Sequence, residues 1–374
     1  MAFLLSSTPR TDQKKTKSEM AELVIPIRPM NGGNGLYSYS KNSIIQRKAI
    51  EATKELINKT IAEELDVNTF SSSNTFRIAD LGCSVGTNTL LAVKNIINAV
   101  QHKFQSQGNG TKLPEFQVFF NDQASNDFNQ LFTSLPSEIQ YFAAVVPGSF
   151  YRRLFPKYSL HFVHSSSAAH WLSRVPEEVE DKSSPAWNKG KVHYSNSTAE
   201  VIKAFEAQFA KDMDNFLKIR AQEIVHGGLM VLILPGRFNG APHANNYINK
   251  VYELLESSLI DMAKKGMISD EKVDSFNVPV YYASLQEVEA AVKRNGCFNI
   301  ELMENIIHEK PQPKVMSATF RAALEGTFKE HFGDEILDEL FDKLLYNKLQ
   351  ESSLHSKSCE SVYLFVSLKR NTDA

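Results

Sequence analysis

Three cysteines in 374 residues leave little material for a disulfide scaffold. Cys83, Cys297 and Cys359 form no C-x-x-C pair and have no histidine at metal-ligand spacing, so a reducing compartment is expected. Charge of one sign is scarce too. Lys and Arg total 41 against 43 Asp and Glu, for a net charge of -2, and no basic block is present to follow a nucleic-acid backbone. No apolar run approaches the length of a membrane span, and Phe3-Leu4-Leu5 is too short for the core of a secretory signal. Together these absences predict a cytosolic (cytoplasmic) protein with neither nucleic acid nor membrane as partner. In that setting the Asn-x-Ser/Thr matches at Asn58, Asn109 and Asn196 are read as chance. The length suffices for one large α/β domain or two smaller ones with a self-sufficient core. The Lys/Ser/Thr-rich stretch Ser6 to Ser18 reads as a mobile arm.

What is present centres on Arg77 to Leu90, where an apolar strand start leads through Gly82 and Gly86 into Leu90, Leu91, Val93, Ile96, Ile97 and Val100 at near-helical spacing. Strand, glycine loop and helix N-terminus make a ligand cradle, because glycines admit close backbone approach and the first turn offers free N–H groups. Asp80 ends the strand where doubly wound sheets bind ligands. A carboxylate there repels phosphate and suits an ammonium group, and the G-x-x-x-x-G-K-S/T phosphate loop is lacking. S-adenosylmethionine, which carries an ammonium and a sulfonium, fits better than a nucleotide. A plain strand-to-helix turn satisfies the same letters.

Along the chain, Tyr37 to Ser43 reads as a lid, or as the ordinary Asn or Ser cap of an amphipathic helix, leading into a helix over Ile44 to Leu65 with Gln46 on its first turn. Phe116 to Phe120 is a strand ending on Asn121-Asp122, where an acidic residue accepts hydrogen bonds from ribose hydroxyls or is simply solvated. Tyr141 to Val146, Ser159 to Val163 and Leu229 to Leu234 are further strands. His170 and Trp171 follow the fourth among small residues, as a pocket floor with two ring N–H donors or as a core pair. A helix over Ala199 to Val225 is expected to end at His226-Gly227-Gly228. Helical patterns then cover Asn245 to Lys265, Leu285 to Asn295 and Met316 to Tyr346, and strands cover Phe298 to Ile307 and Ser361 to Leu368. Strands alternating with helices predict an α/β, doubly wound parallel sheet.

These separated stretches together resemble the plant SABATH methyltransferases, which move a methyl group from S-adenosylmethionine to small carboxylic acids or, in one branch, to xanthine nitrogens. The likeness lies in Met30 to Gly33 with Tyr37 to Gln46, Ile78 to Asn88, Phe120 to Asn129, Val146 to Pro156, His161 to Pro176, Glu271 to Pro279 and His331-Phe332-Gly333. It implies a class I methyltransferase fold, Rossmann-like, with a mainly helical substrate-binding cap. On this reading residues 1–29 are a flexible arm and residues 30–374 the methyltransferase domain, its core near 47–240 plus the C-terminal strands. The cap draws on parts of 165–200 and 240–350, with a lid over 30–46.

The resemblance implies that Tyr39, Ser43, Asp80, Cys83, Asn88, Asp122, Gln123, Ser149 and Phe150 bind the cofactor. Gln46, His170 and Trp171 fall at substrate-positioning places, and Asn188, Asp274, Phe276 and Asn277 at a site that takes magnesium in some members. A homodimer is implied as well. Asn31 replaces the Lys of salicylate-type members and His170 their Met, while Ser167, Ala168 and Ala169 stand where bulkier side chains occur. The expectation is therefore a roomier pocket for a bulky terpenoid, hormone or alkaloid-type acid. The nucleophile is already ionised, so positioning suffices and no general base is required. Methylation of a xanthine nitrogen, with His170 taking or steering a proton, is the alternative enzyme reading, and a catalytically silent cofactor-binding homologue is the other.

Overall fold

The computed structural model describes residues 29–70, 74–106, 113–355 and 361–371; the predicted arm over Ser6 to Ser18 lies outside them. Its strands are β1 Thr75–Leu81, β2 Glu115–Asp122, β3 Phe142–Pro147, β4 Leu160–Ser166, β5 Ile224–Gly236, β6 Phe298–His308 and β7 Ser361–Arg370. They form one sheet in the order β3-β2-β1-β4-β5-β7-β6. The pairs β1 with β2, β1 with β4, β2 with β3 and β4 with β5 are parallel, while β7 runs antiparallel to both β5 and β6. The chain winds outward in opposite directions from β1. The carboxyl ends of β1 and β4 therefore part to leave a crevice, where ligands bind in open α/β sheets.

Six helices longer than ten residues flank the sheet among the described residues: α1 Ile44–Glu64, α2 Thr87–Ser106, α3 Ala199–Glu223, α4 Tyr247–Lys264, α5 Leu285–Asn295 and α6 Pro313–Phe332. Alternation along β5 shows why both faces are covered. Val231 and Ile233 join the core shared with Ile57 and Ile61 of α1 and Val93, Ile96 and Val100 of α2. Met230, Leu232 and Leu234 point the other way, into the core that runs through α3, α4 and α6. All five are buried, which is how a strand covered on both faces reads in sequence.

Two sequence expectations are corrected. Helix α3 stops at Glu223, where the Ile224 N–H donates to Arg220 O, and His226-Gly227-Gly228 lie inside β5. The glycines serve an irregularity: Leu160 pairs with Ile224 but Phe162 with Leu229, and Gly227 takes φ +74°. The helix expected over Met316 to Tyr346 breaks at Gly333, whose φ is +102°. A π-helical stretch, Asp338–Leu345, and a short helix, Tyr346–Glu351, follow it. No helix of the described residues is long and apolar enough to cross a membrane.

Candidate active site

The loop after β1 is shaped by its backbone. Gly82 takes φ +81°, and a Cβ there would stand 2.2 Å from Ala168 Cβ, so only glycine lets the β1 and β4 exits approach this closely. Ser84 and Ser167 also sit at positive φ, 52° and 54°, in a region that costs a non-glycine residue about 1–3 kcal/mol. Both border the crevice. Strand β2 braces the loop: Gly82 and Cys83 donate their N–H groups to Asn121 O at 2.9 and 3.0 Å. Asn126 Nδ2 donates to Ser84 O at 3.1 Å.

Asp122 closes this outer cleft. Its Oδ2 accepts the Ser84 N–H at 2.8 Å and its Oδ1 the Gln123 N–H at 2.7 Å. Burial pushes the carboxyl up to about 6, against the pull of those two N–H groups. Each oxygen keeps a lone pair for a further donor, as a ribose diol would supply. Asn121 Nδ2 bonds Val146 O and Gly148 O at 2.7 and 2.9 Å, which sets the turn presenting Ser149 and Phe150. The cleft holds about 660 Å³, and Tyr39, Asp122, Gln123, Ser149, Phe150 and Trp171 border it.

A second, inner cavity of about 590 Å³ adjoins it through Met30, Tyr39, Ser167 and Trp171, which line both. Gln46, His170 and Trp171 meet here, joined by Tyr252, Tyr282, Phe320 and Tyr363. Among the described residues no Asp, Glu, Lys or Arg lines it. Burial drives the His170 imidazole down to about 3, so the ring is neutral at neutral pH; its Nδ1 and Gln46 Oε1 have no hydrogen-bond partner among the described residues. His170 and Trp171 are held by the strand-like segment opposite. Tyr281 N–H donates to His170 O at 2.9 Å, Leu172 N–H to Pro279 O at 2.8 Å, and Trp171 pairs with Val280. Tyr151 OH donates to Trp171 O at 2.6 Å.

The lid closes over the junction. Asn31 N–H donates to Ala322 O at 2.9 Å, Thr319 Oγ1 to Asn42 O at 2.8 Å and Gly33 N–H to Asp127 Oδ2 at 2.8 Å. Tyr37 lies 3.4 Å beneath the Arg321 guanidinium and donates its hydroxyl to Asp342 at 2.7 Å. Gly86 leaves room for the lid, since a Cβ there would be 3.3 Å from Ser40 Cα.

Other sequence candidates stand behind the cavity walls. Asp80 is buried between Thr89, whose hydroxyl donates to Oδ2, and His164, whose Nδ1 lies 2.7 Å from Oδ1. It anchors the glycine loop and borders neither cavity. Asn88 Nδ2 donates to Ser43 O and Ser43 Oγ at 3.0 and 2.9 Å, so this pair fastens the lid to α2. Cys83 is buried, its thiol pushed up first by burial and then by the Asp122 and Asp80 charges. Ala168 borders the outer cleft, not the inner cavity, and Ala169 is core. The roomier pocket expected from those alanines is corrected accordingly: of the three small residues, Ser167 alone faces the inner space.

The magnesium set forms a hydrogen-bonded knot. Asn188 Nδ2 donates to Asn277 Oδ1 at 2.7 Å, Ser197 Oγ to Asn188 Oδ1 at 2.6 Å and Gly190 N–H to Asp274 Oδ1 at 2.7 Å. Phe276 is buried against Phe328 and Phe332. A hard cation takes oxygen ligands, and three side-chain oxygens here each accept one hydrogen bond. The set is held together by its own hydrogen bonds, and no group of three or more His, Cys, Asp and Glu among the described residues is placed to hold a metal.

Sequence reasoning missed Ser84, Tyr151, Tyr252, Tyr282, Phe320 and Tyr363. Ser84 was within reach of the glycine-loop argument; the aromatics come from segments whose periodicity reports only burial.

Comparison with known proteins agrees with this geometry. A family model described as SAM dependent carboxyl methyltransferase matches residues 27–371. Loganic acid O-methyltransferase of Catharanthus roseus is 45% identical over 339 residues, covering 88% of this chain and 90% of that protein. Farnesoic acid carboxyl-O-methyltransferase of Arabidopsis thaliana is 38% identical over 347 residues, covering 91% and 98%. The solved structure titled "Loganic acid methyltransferase with SAH" superposes with a TM-score of 0.87 at 43% identity, covering 92% of this chain and 99% of that one. With the strand order, the Asp122 cleft and the adjoining cavity in place, the chain belongs to the S-adenosylmethionine-dependent carboxyl methyltransferases.

Proposed function

We propose that the chain methylates a bulky, largely apolar carboxylic acid held in the inner cavity, with Gln46, His170 and Trp171 orienting the carboxylate. The observation that carries this reading is the meeting of two cavities at Tyr39, Ser167 and Trp171, the inner one lined by no ionised side chain of the described residues. The cofactor supplies an electrophilic methyl on a sulfonium. Asp122 would hold its ribose, and Ser84, Ser149 and Phe150 would border it. The Trp171 indole N–H and the Gln46 amide would grip one carboxylate oxygen and leave the other aimed at the junction. Positioning of this kind contributes several kcal/mol, on the order of 7–11 when alignment is ideal. Among the described residues the wall offers the acid neutral donors and no cation, so its charge stays available for attack.

Proton removal by His170 has little support. A ring that holds its proton only below about 3 is a poor acceptor at neutral pH, which disfavours the xanthine-nitrogen reading. No step depends on magnesium. A reducing, cytosolic setting and a homodimer belong to the same proposal; free Cys83 and Cys297 support the first and the family resemblance the second.

The test is incubation with methyl-labelled cofactor and loganic, farnesoic, benzoic and salicylic acids, with paraxanthine alongside. Base-labile label on one of the bulkier acids is the expected result. Base-stable label on paraxanthine, or cofactor binding without turnover of any acid, would overturn it.

A further inference from the structure

Strand β7 carries a tyrosine into the site from the far end of the chain. Tyr363 is registered opposite Pro235 at the carboxyl end of β5 and lines the inner cavity together with Gln46, Tyr39 and Trp171. Ring and hydroxyl have different surroundings. The ring packs against His308, with centroids 4.9 Å apart, and belongs to the core under α1. The hydroxyl faces Ser167, which lines the same cavity and whose own Oγ is buried. Ser167 is held at φ +54° and borders both cavities. It is also where the resemblance expects a bulkier side chain. The small residue leaves a gap at the junction, and β7 aims a hydroxyl into it.

We propose that the Tyr363 hydroxyl, reaching the junction beside Ser167, is a further donor to the substrate carboxylate alongside Gln46 and Trp171. The proposal rests on the reading of the inner cavity as the acid site. Burial pushes Tyr363 up to about 12, with the Ser167 hydroxyl pulling the other way, so the phenol keeps its proton at working pH and can serve an anion only as donor. The Nδ1 of His170, buried and without a hydrogen-bond partner among the described residues, lines the same cavity. An oxyanion entering there would satisfy a group that the described residues leave unpaired, as buried polar groups require.

The distinction from a structural role lies in which kinetic constant moves. Methyl transfer discharges the carboxylate, so a donor to it stabilises bound acid more than the transition state. Its loss raises KM and leaves kcat unchanged or somewhat higher.

Tyr363→Phe keeps the ring and removes the hydroxyl. It is compared with Trp171→Phe and the parent enzyme, using the acid among loganic, farnesoic and benzoic acids that is turned over fastest. The expected result is a rise in KM of about tenfold or more, kcat within about threefold, and unchanged affinity for S-adenosylhomocysteine. KM within twofold of the parent in Tyr363→Phe, while Trp171→Phe raises it, overturns the assignment and leaves the acid site standing. A lowered melting temperature with parental KM also overturns it, because packing alone then explains the residue. If neither variant moves KM, the acid-site reading itself fails.

Discussion

The outer cleft and the inner cavity share a wall but are made of different material. The cleft is built from strand ends and backbone. Asp122 is placed by the Ser84 and Gln123 N–H groups, Gly82 by its positive φ and the proximity of Ala168. The inner cavity is built from side chains gathered from α1, α4, α6, β7 and the segment after β4. Backbone construction fixes one ligand shape. Side-chain construction leaves the fold indifferent to which acid the pocket accepts, so specificity can change there without disturbing cofactor binding.

The most severe way to break the contrast is Gly82→Ala. A Cβ 2.2 Å from Ala168 Cβ at φ +81° combines overpacking with backbone strain, and a stability loss of about 2–6 kcal/mol is expected. Melting temperature and S-adenosylhomocysteine affinity should both fall. A stable variant with parental affinity would show that the cleft does not depend on its backbone.

Trp171→Phe with Gln46→Leu probes the other side. Each single change should lower kcat/KM roughly 10- to 150-fold through loss of a hydrogen bond to a charged group. The pair should be non-additive, since both hold one carboxylate. Calorimetry should find cofactor affinity little changed. Ala168→Leu sharpens the boundary from the cleft side: it should weaken cofactor binding and leave the ranking of acids unaltered, because Ala168 borders the cleft alone. A changed ranking would place it in the acid pocket after all.

Proton titration separates the regions more gently. The Asp122 carboxyl, raised by burial to about 6, is ionised above that value and protonates as pH falls through it. Cofactor affinity should therefore drop about tenfold per pH unit below 6. The raised value also means that Asp122 favours the folded state below its ordinary range near 4, a contribution lost as pH rises through 6. His170, lowered to about 3, should add no ionisation to acid binding between pH 5 and 8. Isothermal titration from pH 5 to 8 checks both; an affinity flat across that range would remove Asp122 from the ribose site. The smallest effect is expected for Tyr37→Phe, which frees the lid from Asp342 but keeps the ring under Arg321. Cofactor release should quicken only about two- to fivefold, as for a partly exposed hydrogen bond of about 0.5–1 kcal/mol.

The same contrast governs what was legible in the sequence. Asp122 and the Gly82 loop lie within short motifs, where one strand, one turn and one helix start define a cradle. Gln46 came through resemblance, His170 and Trp171 were readable as either a pocket floor or a core pair, and the inner cavity brings the three together. Tyr252, Phe320 and Tyr363 stayed hidden because a buried aromatic on a helix or strand looks the same whether it faces core or cavity. Asp80 shows the reverse error. A carboxylate at a strand end is visible, but its partners Thr89 and His164 become its neighbours only when the sheet forms.

The antiparallel entry of β7 has a consequence for how this protein is made. Residues 229–234 of β5 are buried on every side in the finished sheet, and one edge of that strand is closed by residues 362–369. During synthesis β5 leaves the ribosome with an apolar, unpaired edge, and residues 237–360 must be translated before its partner exists. An open edge of this composition invites pairing with other chains. The helices between the two strands thus have to shelter a sticky margin while the ribosome finishes its work, and truncation before β7 should yield aggregate rather than a weakened enzyme.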